Sequence, residues 1–261
     1  MSDKVTAPSL KRMRDAGEKI VCLTAYDFPS ALIADEAGVD VILVGDSLGN
    51  VVQGHDTTIP VELEDICYHV RCVRRGCKRA LLVADLPFGS YNVSPEQAIE
   101  SSIKLMKAGA DAVKLEGDYR DAIRGIVKAG IPTMGHVGFT PQSIHNFGGA
   151  RVQGKGQDAD IIFANAKSIE SAGAFGIVLE LIPGELAARI TDNIDIVTIG
   201  IGAGIKCDGE IQVWHDILGL TSKQHKHTKF YMQGRENMTK AVSDYAKDVK
   251  NGSFPGSENA F

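Results

Sequence analysis

Eight short apolar runs alternate with amphipathic stretches along this chain, and that rhythm restricts the possible folds more than any other feature of the sequence. The runs are IVCLTAY (20–26), DVILVGD (40–46), ALLVADL (80–86), DAVKLEG (111–117), IPTMGHV (131–137), FGIVLEL (175–181), IVTIGIG (196–202) and EIQVWHD (210–216). We read each as a strand. Between them, VSPEQAIESSIKLMKAGAD (93–111) carries helix signals at both ends: Ser94 as N-cap, Pro95 in the first turn, Gln97 closing a capping box, and Gly109 past the end. In VELEDICYHVRCVRR (61–75), Leu63, Ile66, Val70 and Val73 recur at helical spacing, which predicts a second crossover helix. Parallel strands alternating with helices build either a doubly wound sheet or a (β/α)8 barrel. The count of eight favours the (β/α)8 TIM barrel, as a single domain over residues 1–261.

Composition agrees with one large core. A chain of 261 residues matches an α/β barrel, which commonly needs about 250. With 44% hydrophobic and 23% charged residues it has apolar surface enough to bury one, and disorder is not expected. A net charge of −5 argues against a nucleic acid or an anionic membrane as partner, because both repel an acidic surface. No apolar run approaches the roughly 18 residues needed to span a bilayer, and MSDKVTAPSLKRM lacks the apolar centre of a signal peptide, so a cytoplasmic protein is expected. The five cysteines (22, 67, 72, 77 and 207) have no CxxC spacing, and three of them at intervals of five point in different directions around a helix. They read as free thiols.

A barrel predicts where its chemistry lies, because functional groups of such folds gather at the C-terminal ends of the strands. Asp46, Asp85, Glu116, His136 and Glu180 end five consecutive predicted strands. Any one of them could be a cap, a turn residue or a surface ion pair, but their coincidence at one level points to a site. Side chains alternate along a strand, so Lys114 shares a face with Glu116, one layer deeper, and needs a partner there. Glu180, with apolar neighbours on both sides in IVLELIP, is hard to explain as solvated surface. Three carboxylates converging on one mouth repel unless a cation neutralises them. All-oxygen ligation suits Mg2+ better than Zn2+. Such an ion can hold a 2-oxo acid by two oxygens, with Glu180, its pKa raised by an apolar setting across the barrel, as general base.

The segments VGDSLGNVVQGHDTTIPV, LLVADLPFGSY, VKLEG, GHVGFTPQS, FGGARVQGKG, IVLELIP and IGIGAG resemble, in order and spacing, the ketopantoate (3-methyl-2-oxobutanoate) hydroxymethyltransferase family, over about residues 8 to 220. The resemblance implies a (β/α)8 barrel of the phosphoenolpyruvate mutase/isocitrate lyase superfamily. It also implies an aldol-type transfer of a hydroxymethyl group from 5,10-methylenetetrahydrofolate to 3-methyl-2-oxobutanoate, in pantothenate and coenzyme A biosynthesis. Carried over by position, it places the Mg2+ ligands on Asp46, Asp85 and Glu116, and the keto-acid contacts on Asp46, Ser47, Asp85 and Lys114. The base that removes the C3 proton falls on Glu180, and His136 takes a supporting hydrogen-bonding role near the substrate. A homo-oligomer, a decamer built from dimers, is implied as well.

The chain departs from the family pattern at SKQHKHTKF (222–230), where a Gly-His-x-Pro-Lys-Phe stretch is usual; the glycine and the proline are missing. That puts the local loop, with its folate or subunit contacts, in question. His225 and His227 fit a solvated lysine-rich loop better than a metal site. The glycine-rich segment 148–156 does not follow a strand and open a helix as a phosphate loop would, and reads as an active-site loop. Two alternatives stay open. A carbon–carbon lyase or mutase of the same superfamily would carry a gating-loop cysteine, which GDYRDA (117–122) lacks. A non-catalytic keto-acid-binding barrel would have no reason to keep mutually repelling acids on its strand ends.

Overall fold

The computed structural model describes residues 4–221 and 224–261. Eight strands, β1 Ile20–Thr24, β2 Val41–Val44, β3 Leu81–Asp85, β4 Ala112–Lys114, β5 Thr133–Gly138, β6 Gly176–Glu180, β7 Val197–Ile201 and β8 Gly209–Gln212, close into a barrel in chain order. Every pairing is parallel, including β1 with β8, so the fold is the predicted (β/α)8 barrel. The helices are α1 Ala7–Asp15, α2 Phe28–Glu36, α3 Leu48–Val51, α4 Leu63–Gly76, α5 Pro95–Ala108, α6 Arg120–Lys128, α7 Ile144–Phe147, α8 Asp158–Ser171, α9 Gly184–Thr191, α10 Trp214–Ile217 and α11 Gly234–Asn251.

The chain forms two compact units, Met1–Val213 and Trp214–Phe261. The first holds the barrel. Its interior is filled by alternate residues of each strand, among them Ile20, Cys22, Val41, Leu43, Leu81, Val83, Met134, Val178, Val197, Ile199 and Ile211. Val5 and Leu10 join that cluster, so the segment around α1 closes the N-terminal end of the barrel with apolar side chains. Arg14 fastens this closure by donating to the Ile194 carbonyl at 2.6 Å and pairing with Asp208 at 3.4 Å. The stability-bearing end and the candidate site thus occupy opposite mouths of one barrel. The second unit holds α10 and α11, and α11 ends at Gly252 in the left-handed conformation (φ +76°). Of the atypical 222–230 stretch, Ser222 and Lys223 lie outside the described residues, while His225 and His227 stack at 5.6 Å between ring centres.

The predicted helices form with small corrections. Ser94 Oγ accepts the Gln97 N–H at 3.2 Å as an N-cap should, but Gln97 Oε1 reaches back to the N–H of Val93, at 3.0 Å, instead of closing a box on Ser94. Gly109 takes φ +120° at the end of α5. On α4 the residues Ile66, Val70 and Val73 are buried, as the helical spacing predicts. All five cysteines are free thiols.

The strands are shorter than the apolar runs. The last run is strand only in part: β8 stops at Gln212, and Trp214 already begins α10. β2 ends at Val44, so Asp46 and Ser47 occupy the turn that follows it. β4 ends at Lys114, yet the Leu115 and Gly117 N–H groups still donate to Met134 and His136 carbonyls, at 3.2 and 2.9 Å. The extended path therefore continues beside β5. Lys114, Leu115 and Glu116 are all buried there.

Candidate active site

Each predicted group reaches the C-terminal mouth of the barrel from its own strand. Gly45 brings the β2 turn close to β3: a side chain on it would meet Asp85 Oδ2 at 3.2 Å and Ser47 Oγ at 3.0 Å. With that space open, the Asp46 N–H donates to Asp85 Oδ2 at 3.0 Å. Lys114 Nζ sits 2.7 Å from the other Asp85 oxygen, Oδ1. His136 lies between two carboxylates, with Nδ1 3.3 Å from Glu116 Oε1 and Nε2 3.3 Å from Glu180 Oε2. Lys114 Nζ is 3.5 Å from His136 Nδ1 and links the two groups. Ser47 shares a hydrogen bond of 2.8 Å with the Tyr26 hydroxyl. Asp46, Asp85, Lys114, Glu116 and His136 are each at most 4% exposed. The Glu180 side chain keeps 16% exposure, so it alone among the titrating groups of this line has appreciable access to solvent. Its carboxylate faces an imidazole from the neighbouring strand, not the apolar wall expected from IVLELIP.

The Glu180 backbone is held on both sides. The Phe139 N–H donates to the Glu180 carbonyl at 2.8 Å, and a side chain on Gly138 (φ +98°) would run into that same carbonyl. Leu181 takes φ +46°, costly for a branched residue, between its N–H bond to the Ile201 carbonyl and the Gln153 N–H bond to its own carbonyl, both 2.9 Å. Residues β5, β6, β7 and the glycine-rich loop thereby share the placement of one carboxylate.

Two residues that sequence reasoning missed, Gln142 and its partner Tyr91, complete the mouth. Gln142, just past β5 and 5% exposed, donates its backbone N–H to Glu116 Oε2 at 3.0 Å. Its side-chain amide donates to Asp46 Oδ2 at 2.9 Å and to the Leu86 carbonyl at 3.0 Å, and accepts from the Tyr91 hydroxyl at 2.6 Å. The quoted GHVGFTPQS contains Gln142, but an isolated polar residue after a strand carries no periodic signal.

Burial and crowding set the charges. Asp46 is pushed well above the ordinary carboxylate range by burial, with repulsion from Asp85 and Glu116 adding to it. Burial also raises Asp85, against the pull of Lys114. For Glu116 burial is outweighed by His136, Lys114 and the Gln142 N–H, which together hold it low. Burial opposes charge on Lys114, but Asp85, Glu116 and Asp46 surround it and raise its pKa. His136 is disfavoured as a cation by burial and by Lys114, yet Glu116 and Glu180 outweigh both and push it up to about 9.

This predicts a pH dependence with a definite sign. A histidine raised from 6.5 to about 9 contributes stability that is complete below about pH 6.5 and is lost as pH rises through 9. The expected loss for chelator-treated protein is on the order of 3 kcal/mol between about pH 6 and pH 9.5. Urea unfolding across that range checks it, and a slope unchanged in His136→Gln would show that another group titrates.

The donor set suits a hard divalent cation. Four carboxylates face two cationic side chains, and both Asp85 Oδ1 and His136 Nε2 are buried without a well-aligned hydrogen-bond partner. Among the described residues no group of three or more His, Cys, Asp or Glu side chains is already converged to hold an ion. Asp46, Asp85 and Glu116 are the acids of this mouth that would hold such an ion, with water or substrate oxygens as further ligands, the manner in which Mg2+ is ordinarily held.

A closed parallel barrel with buried acids, a lysine and a histidine at its C-terminal mouth defines a (β/α)8-barrel enzyme site. Solved structures with this fold include phosphonopyruvate hydrolase in complex with oxalate and Mg++, at a TM-score of 0.64 and 12% identity, covering 97% of this chain and 93% of that one. 2,3-Dimethylmalate lyase, a PEP mutase/isocitrate lyase superfamily member, matches at 0.61 and 16%, with 98% and 91% covered. In sequence, the 3-methyl-2-oxobutanoate hydroxymethyltransferase of Burkholderia multivorans (strain ATCC 17616 / 249) is 51% identical over 261 residues, 98% of this chain and 96% of that protein. The enzyme of the same name from Chloroflexus aurantiacus (strain ATCC 29366 / DSM 635 / J-10-fl) is 51% identical over 262 residues, with 98% and 92% covered. Residues 4–257 match the model of the ketopantoate hydroxymethyltransferase family. The chain belongs to that family.

Proposed function

We propose that the chain transfers a hydroxymethyl group from 5,10-methylenetetrahydrofolate to 3-methyl-2-oxobutanoate, forming 2-dehydropantoate (ketopantoate). One observation carries the reading beyond family membership: a carboxylate with solvent access, Glu180, stands next to a buried cluster of acids and cations suited to a 2-oxo acid. Phosphonopyruvate hydrolase, of the same fold, was solved in complex with oxalate and Mg++.

In this reading Asp46, Asp85 and Glu116 hold Mg2+, and Asp46, Ser47, Asp85 and Lys114 contact the keto acid. Mg2+, when bound, supplies a Lewis acid for the keto oxygen. Lys114, held against Asp85, offers a fixed positive charge to the substrate's oxygens. Glu180 takes the proton from C3 as general base; C3 then bonds to the folate's one-carbon unit, whose two C–N bonds break, water supplying the hydroxyl group while its other proton and the C3 proton go to the folate nitrogens. His136 supports this as the ion-pair partner of Glu180, its Nε2 standing 3.3 Å from Oε2.

The test is deuterium exchange at C3 of 3-methyl-2-oxobutanoate in D2O, followed by NMR with Mg2+ and without folate. Exchange is expected, is abolished by a chelator and returns with added Mg2+. Full turnover in a verified metal-free preparation would sink the metal assignment.

The same reading makes the protein cytoplasmic; no helix among the described residues is long and apolar enough to cross a membrane. A homo-oligomer, by family resemblance a decamer, agrees with the surface of α11. Its Met238, Val242, Tyr245 and Val249 are exposed at helical spacing.

A further inference from the structure

We propose that Gln142 is a positioning residue that fixes the orientation of the Asp46 and Glu116 carboxylates and leaves Asp46 Oδ1 as the oxygen open to a metal ion or keto acid at the barrel mouth. The inference rests on the Mg2+ reading given above. Carboxylates crowded as these are have no intrinsic reason to keep one orientation, since each rotation that relieves one repulsion creates another. Gln142 removes that freedom at two points. Its amide nitrogen ties down Asp46 Oδ2, at 2.9 Å, and leaves Oδ1 as the oxygen open to a further ligand. Its backbone N–H ties down Glu116 Oε2, at 3.0 Å, while His136 takes Oε1.

The orientation of the amide is itself fixed. The Tyr91 hydroxyl, at 2.6 Å from Gln142 Oε1, has a proton to give there, and the Leu86 carbonyl at 3.0 Å from Nε2 can only accept. Turning the amide over would set its oxygen against both the Asp46 carboxylate and the Leu86 carbonyl. All the donors and the acceptor of this side chain are therefore used, each by a different segment of the mouth. Tyr91 is 2% exposed and ties the assembly to Glu116 again, its hydroxyl oxygen accepting the Glu116 N–H at 3.3 Å. Gln142 touches neither substrate nor reacting atoms in this role; it acts through the carboxylates.

Gln142→Met keeps length and apolar bulk but makes no hydrogen bond to Asp46. Groups that orient metal ligands typically contribute 10- to 100-fold to metal affinity. Calorimetric titration of Mg2+ into the metal-free full-length protein should therefore show affinity at least about tenfold weaker in Gln142→Met than in the parent. With saturating Mg2+, kcat should largely recover while KM for the keto acid stays raised, a split that a general loss of structure does not produce. Tyr91→Phe is the second, milder variant: it leaves every carboxylate and Gln142 in place and removes only the hydroxyl that orients the amide. It should weaken Mg2+ binding by about threefold or more, in proportion to one lost hydrogen bond. Mg2+ affinity within twofold of the parent in folded Gln142→Met overturns the proposal; if that variant does not fold, the same result in Tyr91→Phe overturns it. A parent protein that binds no Mg2+ overturns the metal reading together with it, whereas tight parent binding with unaffected variants overturns this inference alone.

Discussion

Glu180→Gln is expected to keep Mg2+ and keto-acid binding while losing at least about a hundredfold in C3 exchange and in hydroxymethyl transfer, the contribution ordinary for a general base. The substitution keeps size and shape. Its amide oxygen can take the place of Glu180 Oε2, 3.3 Å from His136 Nε2, so the packing of the neighbouring groups is kept. What disappears is the lone pair that accepts the proton. The backbone bonds from Phe139 and Leu181 are untouched, so the variant should fold as the parent does. Both reaction readouts should fall by a similar factor, because the same proton transfer precedes both. If Glu180 instead holds the ion, Mg2+ affinity falls together with activity and excess Mg2+ recovers part of it. Near-normal exchange in the folded variant removes Glu180 from the mechanism altogether.

Lys114→Met should be the most damaging single change to the metal-free fold. The ammonium is 2.7 Å from Asp85 and buried with it, so deleting it strands a carboxylate away from water beside two others. Breaking a buried pair in this way costs about 3–5 kcal/mol. Urea unfolding of chelator-treated protein measures the loss, and it should shrink when Mg2+ is added, since the ion supplies the missing positive charge. In the Mg2+-loaded variant, affinity for 3-methyl-2-oxobutanoate should still be reduced. A variant that melts like the parent shows that Asp85 was neutral beforehand; one that loses stability but binds keto acid normally shows that Lys114 is structural only.

Most of the architecture was legible because a buried parallel strand leaves an unmistakable apolar run, and eight of them in chain order leave few ways to close. That Asp46, Asp85, Lys114, Glu116, His136 and Glu180 meet at one mouth could be read because strand ends in such a barrel point at one place. The limits of the reading are as physical as its successes. Val213 and Trp214 extend the last apolar run in sequence, but hydrogen bonding to β1 ends at Gln212, which local pattern cannot reveal. Gln142 was invisible for a related reason. Its partners lie 96 positions away at Asp46, 56 at Leu86, 51 at Tyr91 and 26 at Glu116, and they meet only once the barrel has closed. The pairing of Glu180 with His136 hid behind apolar flanking residues that, on alternate sides of a strand, say nothing of what the carboxylate itself faces.

Gln142 also has a consequence for how the mouth moves. The turns after β2, β3 and β4 and the segment after β5 each end on this one side chain or its own N–H, so none can swing out without leaving a buried donor or acceptor bare. Hydrogen exchange should therefore find these connections opening as one cooperative unit, their amides exchanging together and more slowly than those of surface turns ordinarily do. A substrate entering the barrel thus meets charges already frozen in position, and little of its binding free energy is spent on reorganising them.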